Sequence, residues 1–249
     1  FGFVQIGTQR WTSWLHDAIK KGAEYEIMVD IHDEYRPTGF SRTYPNLLTQ
    51  EGIAGNEEFP DATHNVTLPF TRFIAGAADY TICYYDKRIK TTHAHQLAMA
   101  AVYYSPLQFV YWYDQPSAYE GEPELEFFDN VKTVWDDTKI VEGEIGEFIT
   151  IARRSSQEWF VGTMTNNDAR KVSTSLDFLD ADKKYVANIY TDDDSVNTKT
   201  KVRLTRLIVD ESSLLNFDLK SSGGCAIHLT PANKEDLKNY KRIGKNQIL

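Results

Sequence analysis

The sequence predicts an α/β part followed by an all-β part. Before about residue 143, strand-like apolar runs alternate with helical segments, beginning with strand, helix and strand within residues 1–31. That order implies parallel strands joined by a right-handed crossover. From about residue 144, alternating strands are separated by Asp, Ser, Asn and Gly clusters, which is typical of an antiparallel sheet or sandwich. We therefore predict two domains, 1–143 and 144–249, the second a β-sandwich.

The α/β part is too short to form a closed barrel by itself. We predict strands at 1–6, 27–31 and 107–111, and helices from Thr12 or Ser13 to about Tyr25, at 92–102 and at 123–130. Residues 64–76 fit either a strand or a short helix. A closed (β/α)8 TIM barrel needs about 250 residues, so either the sheet is open or the first half of the barrel is missing. Because the chain starts inside a strand-like run, FGFVQIG, we favour the second half of a TIM barrel.

Composition narrows the possible partners. The 249 residues are 41% hydrophobic and 25% charged, as in soluble globular proteins. The net charge of -9 disfavours nucleic acid and anionic membranes as partners and suits a neutral substrate or a cation. No apolar run approaches the roughly 20 residues of a membrane helix. The aromatic content of 13% is compatible with carbohydrate binding, although core packing explains it equally well.

The strongest functional signal is the segment 29–58, in which a short apolar strand runs into a carboxylate-rich loop. His32 and Asp33 directly follow the strand, and Glu57 lies near the end of the loop. In barrels, catalytic residues lie at the carboxyl ends of strands. Hydrolysis of a glycosidic bond requires one protonated and one ionised carboxyl group. Asp33 and Glu57 meet that requirement if the loop returns to the strand ends; the alternative is a solvated acidic loop.

A third carboxylate, Glu51, makes this segment a candidate site for a hard cation. Calcium is the natural choice because it prefers several oxygen ligands. Zinc is disfavoured, because His32 is the only histidine nearby and neither cysteine is close in sequence. The alternative for Glu51 is a cap of a helix or loop.

Residues outside this segment give weaker signals. Asp79 either lines the pocket or is a turn residue. His93 and His95 form a His-Ala-His pair that we interpret as structural or surface-exposed. Trp112 and Tyr113 follow a predicted strand and either stack on substrate or, more simply, pack in the core.

Two longer runs resemble a known enzyme family. HDEYRPTGFSRTYPNLLTQEGIAGNEE (32–58), followed by HNVTLPFTRFIAGAADYT (64–81), resembles glycoside hydrolase family 97, the α-glucosidases and α-galactosidases of Bacteroidota and their relatives. The RPTG, RTYPN, LPFTR and DYT segments carry the likeness, which extends over most of residues 1–165. The resemblance implies a central (β/α)8 barrel and a C-terminal β domain, with the N-terminal half of the same protein missing here. It also implies a periplasmic enzyme.

The resemblance also implies roles for single residues. Glu57 matches the general acid and also lies at the metal in family members, Glu51 matches a calcium ligand, and His32 matches a substrate-binding histidine. Asp33 stands where inverting members carry a glutamate that is both base and calcium ligand, and where retaining members carry glycine. Gly2 stands, by spacing, where retaining members carry their nucleophilic aspartate. Both positions imply inversion.

These observations predict an exo-acting, calcium-dependent, inverting glycoside hydrolase of the α-glucosidase type that acts on oligosaccharides. Glu57 and Asp33 are the predicted catalytic residues, His32 and Asp79 the predicted substrate-binding residues, and Asp33, Glu51 and Glu57 the predicted metal ligands. We expect the isolated fragment to be inactive. The alternatives are a retaining α-galactosidase of the same family and a non-catalytic carbohydrate-binding protein.

Overall fold

The computed structural model describes residues 1–4, 7–243 and 247–249. Helices and short parallel strands come first, as predicted. Their bounds are α1 Gln9–Glu24, β1 Val29–Ile31, β2 Leu47–Gln50, α2 Ala62–Thr67, β3 Thr81–Ile82, α3 His93–Val102, β4 Phe109–Val110 and α4 Glu126–Asn130. No helix in the described part of the chain is long and apolar enough to cross a membrane.

The short strands pair in parallel. Strand β1 pairs with β2, β3 pairs with β4, and Gly2 forms a parallel bridge with His32 at the end of β1. Gln5 and Ile6, which end the strand predicted at 1–6, lie outside the described residues. The parallel direction agrees with the strand–helix–strand interpretation. The described residues form two separate two-stranded sheets here, so the half barrel stays a prediction.

Most of the predicted helices are confirmed, with shifts at their ends. Helix α1 starts earlier than predicted because the Thr8 hydroxyl accepts a hydrogen bond from Trp11 N (3.4 Å) and caps it. Helix α3 starts after Thr92, whose hydroxyl accepts from His95 N (3.2 Å). Residues 64–76, which fitted either a strand or a helix, form the end of α2 followed by two 3₁₀ turns.

The C-terminal part is an antiparallel β structure, as predicted. A six-stranded sheet has the order β10-β9-β12-β7-β6-β5, and β8 pairs separately with β11. Strand β5 starts at Asp137, ahead of the predicted boundary at 143, and already belongs to the large sheet; the two-domain division stays a prediction. The bounds are β5 Asp137–Glu144, β6 Phe148–Ser155, β7 Glu158–Thr165, β8 Arg170–Ser175, β9 Tyr185–Asp192, β10 Val202–Val209, β11 Leu214–Leu219 and β12 Gly224–Pro231, and a short helix, α5, spans Asp236–Asn239.

The six-stranded sheet is covered differently on its two faces. On one face, the β8–β11 pair contributes buried residues such as Val172 and Phe217 to a shared core with Val161 of β7. On the other face, the sheet packs against α3, and Phe160 lies in the same core as Leu97 of the helix. Neighbouring residues of β7 thus point to opposite cores, as the alternation of side chains along a strand requires. The C-terminal sheet and the α/β part therefore share a core through α3.

Two glycines allow α3 to approach the sheet closely. A Cβ at Gly162 would lie 2.5 Å from the Ala98 carbonyl oxygen, and one at Gly224 would lie 2.7 Å from His95 Cα. The sheet also caps both helix ends: Asp192 accepts from the Thr92 hydroxyl (2.7 Å), and Arg153 donates to the Val102 carbonyl (2.9 Å). Polar contacts therefore fix both ends of a helix that is almost wholly buried.

Candidate active site

A cavity of about 1400 Å³ opens at the ends of β1 and β2. Because β1 and β2 are parallel, His32 directly after β1 and Glu51 directly after β2 meet at the same edge. Glu57 returns to this edge on a 3₁₀ turn, Asn56–Glu58. His32, Asp33, Glu51 and Glu57 all line the cavity. The loop between the strand and Glu57 therefore does fold back onto the strand ends.

The turn that carries Glu57 is fixed by β3. The backbone N–H of Glu57 donates to the Thr81 hydroxyl (3.1 Å). The preceding Gly55 lies so close that an added Cβ would be 2.7 Å from that same hydroxyl oxygen. Glycine at position 55 is thus what lets the turn approach β3 and place the Glu57 carboxyl in the cavity.

His32 is at the centre of the charged groups. Its Nδ1 donates to Asp79 Oδ2 (2.6 Å), and its Nε2 lies 3.3 Å from Glu57 Oε1. Glu51 Oε2 lies 3.8 Å from Nδ1. The hydrogen bond to Asp79 raises the pKa of His32 to about 9, and the negative charges of Glu51, Asp79 and Glu57 add to the effect. His32 is therefore an imidazolium at neutral pH, held between carboxylates.

Asp79 lies behind His32 and does not reach the cavity. Its side chain is fully buried, so it can act on a substrate only through His32, whose ring it orients. Asp30 of β1 is close enough to Asp79 to share a proton, and burial and the Asp79 charge raise the pKa of Asp30 to about 7. Asp30 was not among the predicted site residues. Its signal is a carboxylate inside an apolar strand, between the buried Val29 and Ile31.

Glu51 and Glu57 are a second close carboxyl pair. Their carboxyl groups offer oxygen atoms within 4.8 Å of each other. Burial, Asp79 and Glu57 together raise the pKa of Glu51 to about 8 despite the opposing charge of His32. Two carboxyl groups this close need a proton or a cation between them. Among the described residues, two groups bring their ligand atoms within 4.8 Å of one another: His32 with Glu51 and Glu57, and Asp30 with His32 and Asp79. The first of these faces the cavity.

Asp33 lines the same cavity but belongs to neither group. Its Oδ2 accepts a hydrogen bond from the backbone N–H of Val4 (2.6 Å). Of the three predicted metal ligands, Glu51 and Glu57 thus lie close together, whereas Asp33 is hydrogen-bonded to the N-terminal segment through Val4. The other Asp33 oxygen has no hydrogen bond to the described residues.

Trp112 contributes a contact that the sequence does not indicate. Its indole N–H donates to Glu57 Oε2 (3.0 Å), and its ring lies 5.0 Å from that of His32, centroid to centroid. The two partners of this hydrogen bond are 55 residues apart. Trp112 was predicted to stack on substrate or to pack in the core, not to donate to a carboxyl group. The sequence feature that could have drawn attention to Trp112 is its position directly after the predicted strand 107–111.

Two family models match separate parts of the chain. The model described as glycoside hydrolase 97 matches residues 1–53. The model described as glycosyl-hydrolase 97 C-terminal, oligomerisation, matches residues 134–230. The first match includes β1, β2 and Glu51, and the second covers nearly all of the antiparallel β structure.

Curated relatives carry the same family's activities in their names. The chain is 31% identical to a retaining alpha-galactosidase of Bacteroides thetaiotaomicron over 95% of its own length and 37% of that protein. It is 29% identical to a probable retaining alpha-galactosidase of Streptomyces bingchenggensis over 64% of its length and 26% of that protein. The chain thus spans little more than a third of the first relative.

Solved structures agree with these sequence matches. A glycoside hydrolase family 97 enzyme from Pseudoalteromonas sp. strain K8, in complex with panose, is 32% identical and superposes with a TM-score of 0.80 over 88% of this chain and 37% of that one. A complex of a family 97 enzyme from the same strain with acarbose gives the same values. The family resemblance read from the 32–58 and 64–81 motifs is confirmed: the chain belongs to glycoside hydrolase family 97.

Proposed function

We propose that the protein hydrolyses α-glycosidic bonds of oligosaccharides as an exo-acting, inverting glycosidase of the α-glucosidase type. The main support is the environment of Glu57. Its carboxyl group lies in the cavity, where one oxygen accepts a hydrogen bond from the Trp112 indole and the other faces His32. Such a carboxyl group has a fixed orientation and remains 21% exposed. A general acid needs both properties, because it must reach the glycosidic oxygen in a defined direction.

The proposed reaction uses Glu57 and Asp33 as acid and base. Glu57 donates its proton to the glycosidic oxygen as the bond from that oxygen to the anomeric carbon breaks. A water molecule attacks the anomeric carbon from the opposite face, and Asp33 takes the proton that this water loses. The Val4 N–H bond to Asp33 Oδ2 leaves Oδ1 for the water. His32, oriented by Asp79 through Nδ1, donates one hydrogen bond from Nε2 to a sugar hydroxyl beside Glu57.

Calcium is part of this proposal. Glu51 and Glu57 offer oxygen ligands to a hard cation. Their mutual closeness supports one, since a divalent ion would offset the burial and the repulsion by Asp79 and Glu57 that together raise the pKa of Glu51 to about 8. When bound, calcium would supply positive charge that polarises water or substrate oxygen. Asp33 lies outside the group formed by His32, Glu51 and Glu57, and we assign it the base role.

Inversion is supported by Gly2. This residue lines the cavity beside His32, at the position where retaining relatives would need a nucleophilic carboxylate. Glycine has no side chain to supply one. The second candidate is a retaining α-galactosidase, which the names of two relatives favour. That reaction requires a nucleophile about 5–5.5 Å from the acid, and the stereochemistry of the product distinguishes the two.

We also propose that β1–β4 are strands of the second half of a (β/α)8 barrel and that the enzyme is periplasmic. The parallel pairs β1–β2 and β3–β4, with functional side chains at their carboxyl ends, support the barrel. The periplasmic location rests on the family resemblance alone. The first half of such a barrel would complete the cavity, so an activity assay needs the full-length protein.

The test is turnover by the full-length protein with Glu57 substituted. We expect hydrolysis of α-glucosides, and a fall in kcat on a disaccharide of about 10²–10⁴-fold for Glu57→Gln, the size expected for loss of a general acid. Glu58→Gln is the matched control, because Glu58 is in the same turn and lines the same cavity. A carbohydrate-binding protein without catalysis would show no turnover in the wild type, and equal losses in both variants would contradict the assignment of Glu57.

A further inference from the structure

Three side chains pack together at the rim of the cavity, on the Glu57 side. The rings of Phe59 and Tyr113 are stacked with centroids 6.3 Å apart. The Arg88 guanidinium lies over both rings, 4.3 Å from the Phe59 centroid and 5.0 Å from that of Tyr113. Asp86 holds this guanidinium through two hydrogen bonds, 3.0 Å to Nε and 2.7 Å to Nη2. We call Phe59, Arg88 and Tyr113 the rim cluster.

The rim cluster is joined directly to the proposed general acid. Phe59 follows the turn that carries Glu57, and Tyr113 follows Trp112, the donor to Glu57. Tyr113 lines the cavity and is 45% exposed. Any movement of the two rings is therefore limited by the same backbone that positions the acid and its indole partner.

Phe59 has a backbone conformation that needs support. Its φ is +48°, in the left-handed region that residues other than glycine rarely adopt. Such strain persists where surrounding contacts fix it, and it concentrates at functional sites. Stacking of the Phe59 ring on Tyr113 and its contact with Arg88 are such contacts. The strained backbone thus holds an aromatic pair at the cavity rim in one arrangement.

We propose that Tyr113 is the platform on which the leaving-group sugar of the substrate packs, with Phe59 and Arg88 holding its ring in place. This inference rests on the proposed function. A general acid protonates the glycosidic oxygen, so the sugar that departs must lie next to the acid. Tyr113 directly follows Trp112, the donor to Glu57, and it stays 45% exposed although the guanidinium lies over its ring and Phe59 is stacked with it. Its remaining exposed surface suits the C–H face of a pyranose, because aromatic rings offer large, rigid contact area.

The rim cluster therefore determines which leaving groups the enzyme accepts. It does not determine which sugar the enzyme accepts on the anomeric-carbon side of the bond. A substrate whose leaving group is a single atom gains nothing from Tyr113. A substrate with a sugar leaving group gains the full contact. Comparing the two kinds of substrate separates a specificity role from a general structural one.

The experiment uses the full-length enzyme with maltose and α-glucosyl fluoride, or with melibiose and α-galactosyl fluoride if the wild type prefers galactosides. We expect Tyr113→Ala to lower kcat/KM for the disaccharide about tenfold more than for the fluoride, which corresponds to the loss of one aromatic contact. Tyr113→Phe keeps the ring and should retain the wild-type ratio. Arg88→Met should shift the ratio in the same direction as Tyr113→Ala, but less. The matched control is Tyr119→Ala, an exposed tyrosine that does not line the cavity.

Two results would overturn the platform, and both leave the ratio of kcat/KM between the two substrates unchanged in Tyr113→Ala. One is an equal fall of kcat/KM on both substrates, and the other is a wild-type kcat/KM on both. Either result, in an enzyme whose wild type hydrolyses both substrates, contradicts the platform and leaves the proposed function standing. A wild type that hydrolyses neither substrate contradicts the proposed function itself and removes the platform with it.

Discussion

Polar groups are buried in two regions: where helix α3 packs on the large sheet, and in the carboxylate cluster at the ends of β1 and β2. The buried groups have hydrogen-bond partners of opposite character in the first region, but face groups of the same kind in the second. At α3, Asp192 accepts hydrogen bonds from the Thr92 hydroxyl and from two backbone N–H groups. His95 donates to the Gly223 carbonyl (3.0 Å) and accepts from the Asn65 amide (3.3 Å). Each group there has partners of the opposite character, as buried polar groups require.

In the carboxylate cluster, like charges face each other. Asp30 and Asp79 share one small space, and each has a buried carboxyl oxygen without a hydrogen-bond partner among the described residues. Glu51 and Glu57 form the second pair, and the His32 ring lies between the two pairs. Repulsion of this kind costs stability and is found where catalysis or cation binding uses it. Helix α3 therefore stabilises the fold, whereas the cluster holds the residues to which we assign the chemistry.

The largest effect on stability should come from breaking the α3 contact. In Gly162→Ala the new Cβ would lie 2.5 Å from the Ala98 carbonyl oxygen, which belongs to the backbone and cannot rotate away. We expect a loss of about 2–3 kcal/mol in the free energy of unfolding, measured by denaturant or thermal unfolding.

The matched glycine for this prediction lies in the other region. A Cβ at Gly2 would meet the His32 carbonyl oxygen at 3.5 Å, an ordinary contact. Gly2→Ala should therefore change the free energy of unfolding by less than about 1 kcal/mol. An equally small change in Gly162→Ala would mean that α3 does not pack on the sheet as described.

Replacing Asp79 should separate activity from stability. Asp79→Asn weakens the bond that orients His32 and removes one of two repelling carboxyl groups. We expect kcat/KM to fall on the order of 10–100-fold, the effect typical of a residue that orients a functional histidine, while Tm does not fall. Kinetics and thermal unfolding of the same preparation measure both.

The control is Asp61, a carboxylate that stabilises a helix and lies outside the cluster. Asp61 caps α2 by accepting from His64 N (2.9 Å). Asp61→Ala should cost about 1 kcal/mol of stability and leave kcat/KM unchanged. A loss of Tm in Asp79→Asn as large as in Asp61→Ala would contradict the distinction between the two regions.

The Trp112 indole should contribute a smaller part of the activity. Trp112→Phe keeps the aromatic ring and removes the N–H bond to Glu57 Oε2. Loss of one hydrogen bond costs about 0.5–1.5 kcal/mol, and we expect about 1.4 kcal/mol, or tenfold, to appear in kcat for a disaccharide. Trp14→Phe, at an exposed position on α1, should leave kcat unchanged. Equal kcat in wild type and Trp112→Phe would show that the indole does not position the acid.

The smallest effect is a pH dependence of opposite sign in the two regions. Burial lowers the pKa of His95 to about 4, so stability is lost as pH falls from about 6.5 towards 4. In the cluster, Glu51 and His32 hold protons more tightly when folded, with pKa values of about 8 and about 9. Their contribution is full at low pH and is lost as pH rises through those values.

Thermal unfolding between pH 4 and pH 9 without divalent cations checks both signs. Glu51→Gln should flatten the alkaline decline in Tm and leave the acid decline in place. Added calcium should also raise Tm at pH 8 in the wild type more than in Glu51→Gln, because a ligand of the folded state stabilises it. An alkaline decline that persists unchanged in Glu51→Gln would contradict the pKa assignment of the cluster.

The sequence indicated the secondary structure and one part of the site. Period-two alternation was enough to predict the antiparallel strands of the C-terminal part, and the strand end before His32 and Asp33 was enough to predict a site there. Strands and strand ends can be predicted from local sequence patterns because they depend mainly on residues that are close together in the chain. The sequence left open whether the loop returns Glu57 to the strand ends, and the structure shows that it does.

The rest of the site depends on contacts between distant residues. The Trp112 bond spans 55 residues, and the place of Asp79 behind His32 spans 47. Neither spacing leaves a local pattern, since tertiary packing alone brings the partners together. The packing of α3 on the large sheet was missed for the same reason: an alanine-rich helix predicts burial but not the surface that buries it.

The most direct test of the proposed chemistry is the anomer that the full-length enzyme releases first. Proton NMR of an α-glucoside digest, recorded before mutarotation, should show the β-anomer, because Asp33 activates water on the face opposite the bond that breaks. Asp33→Asn should abolish this turnover. Initial release of the α-anomer would contradict the account, since it requires a nucleophile that Gly2 cannot supply and leaves Asp33 without its proposed role.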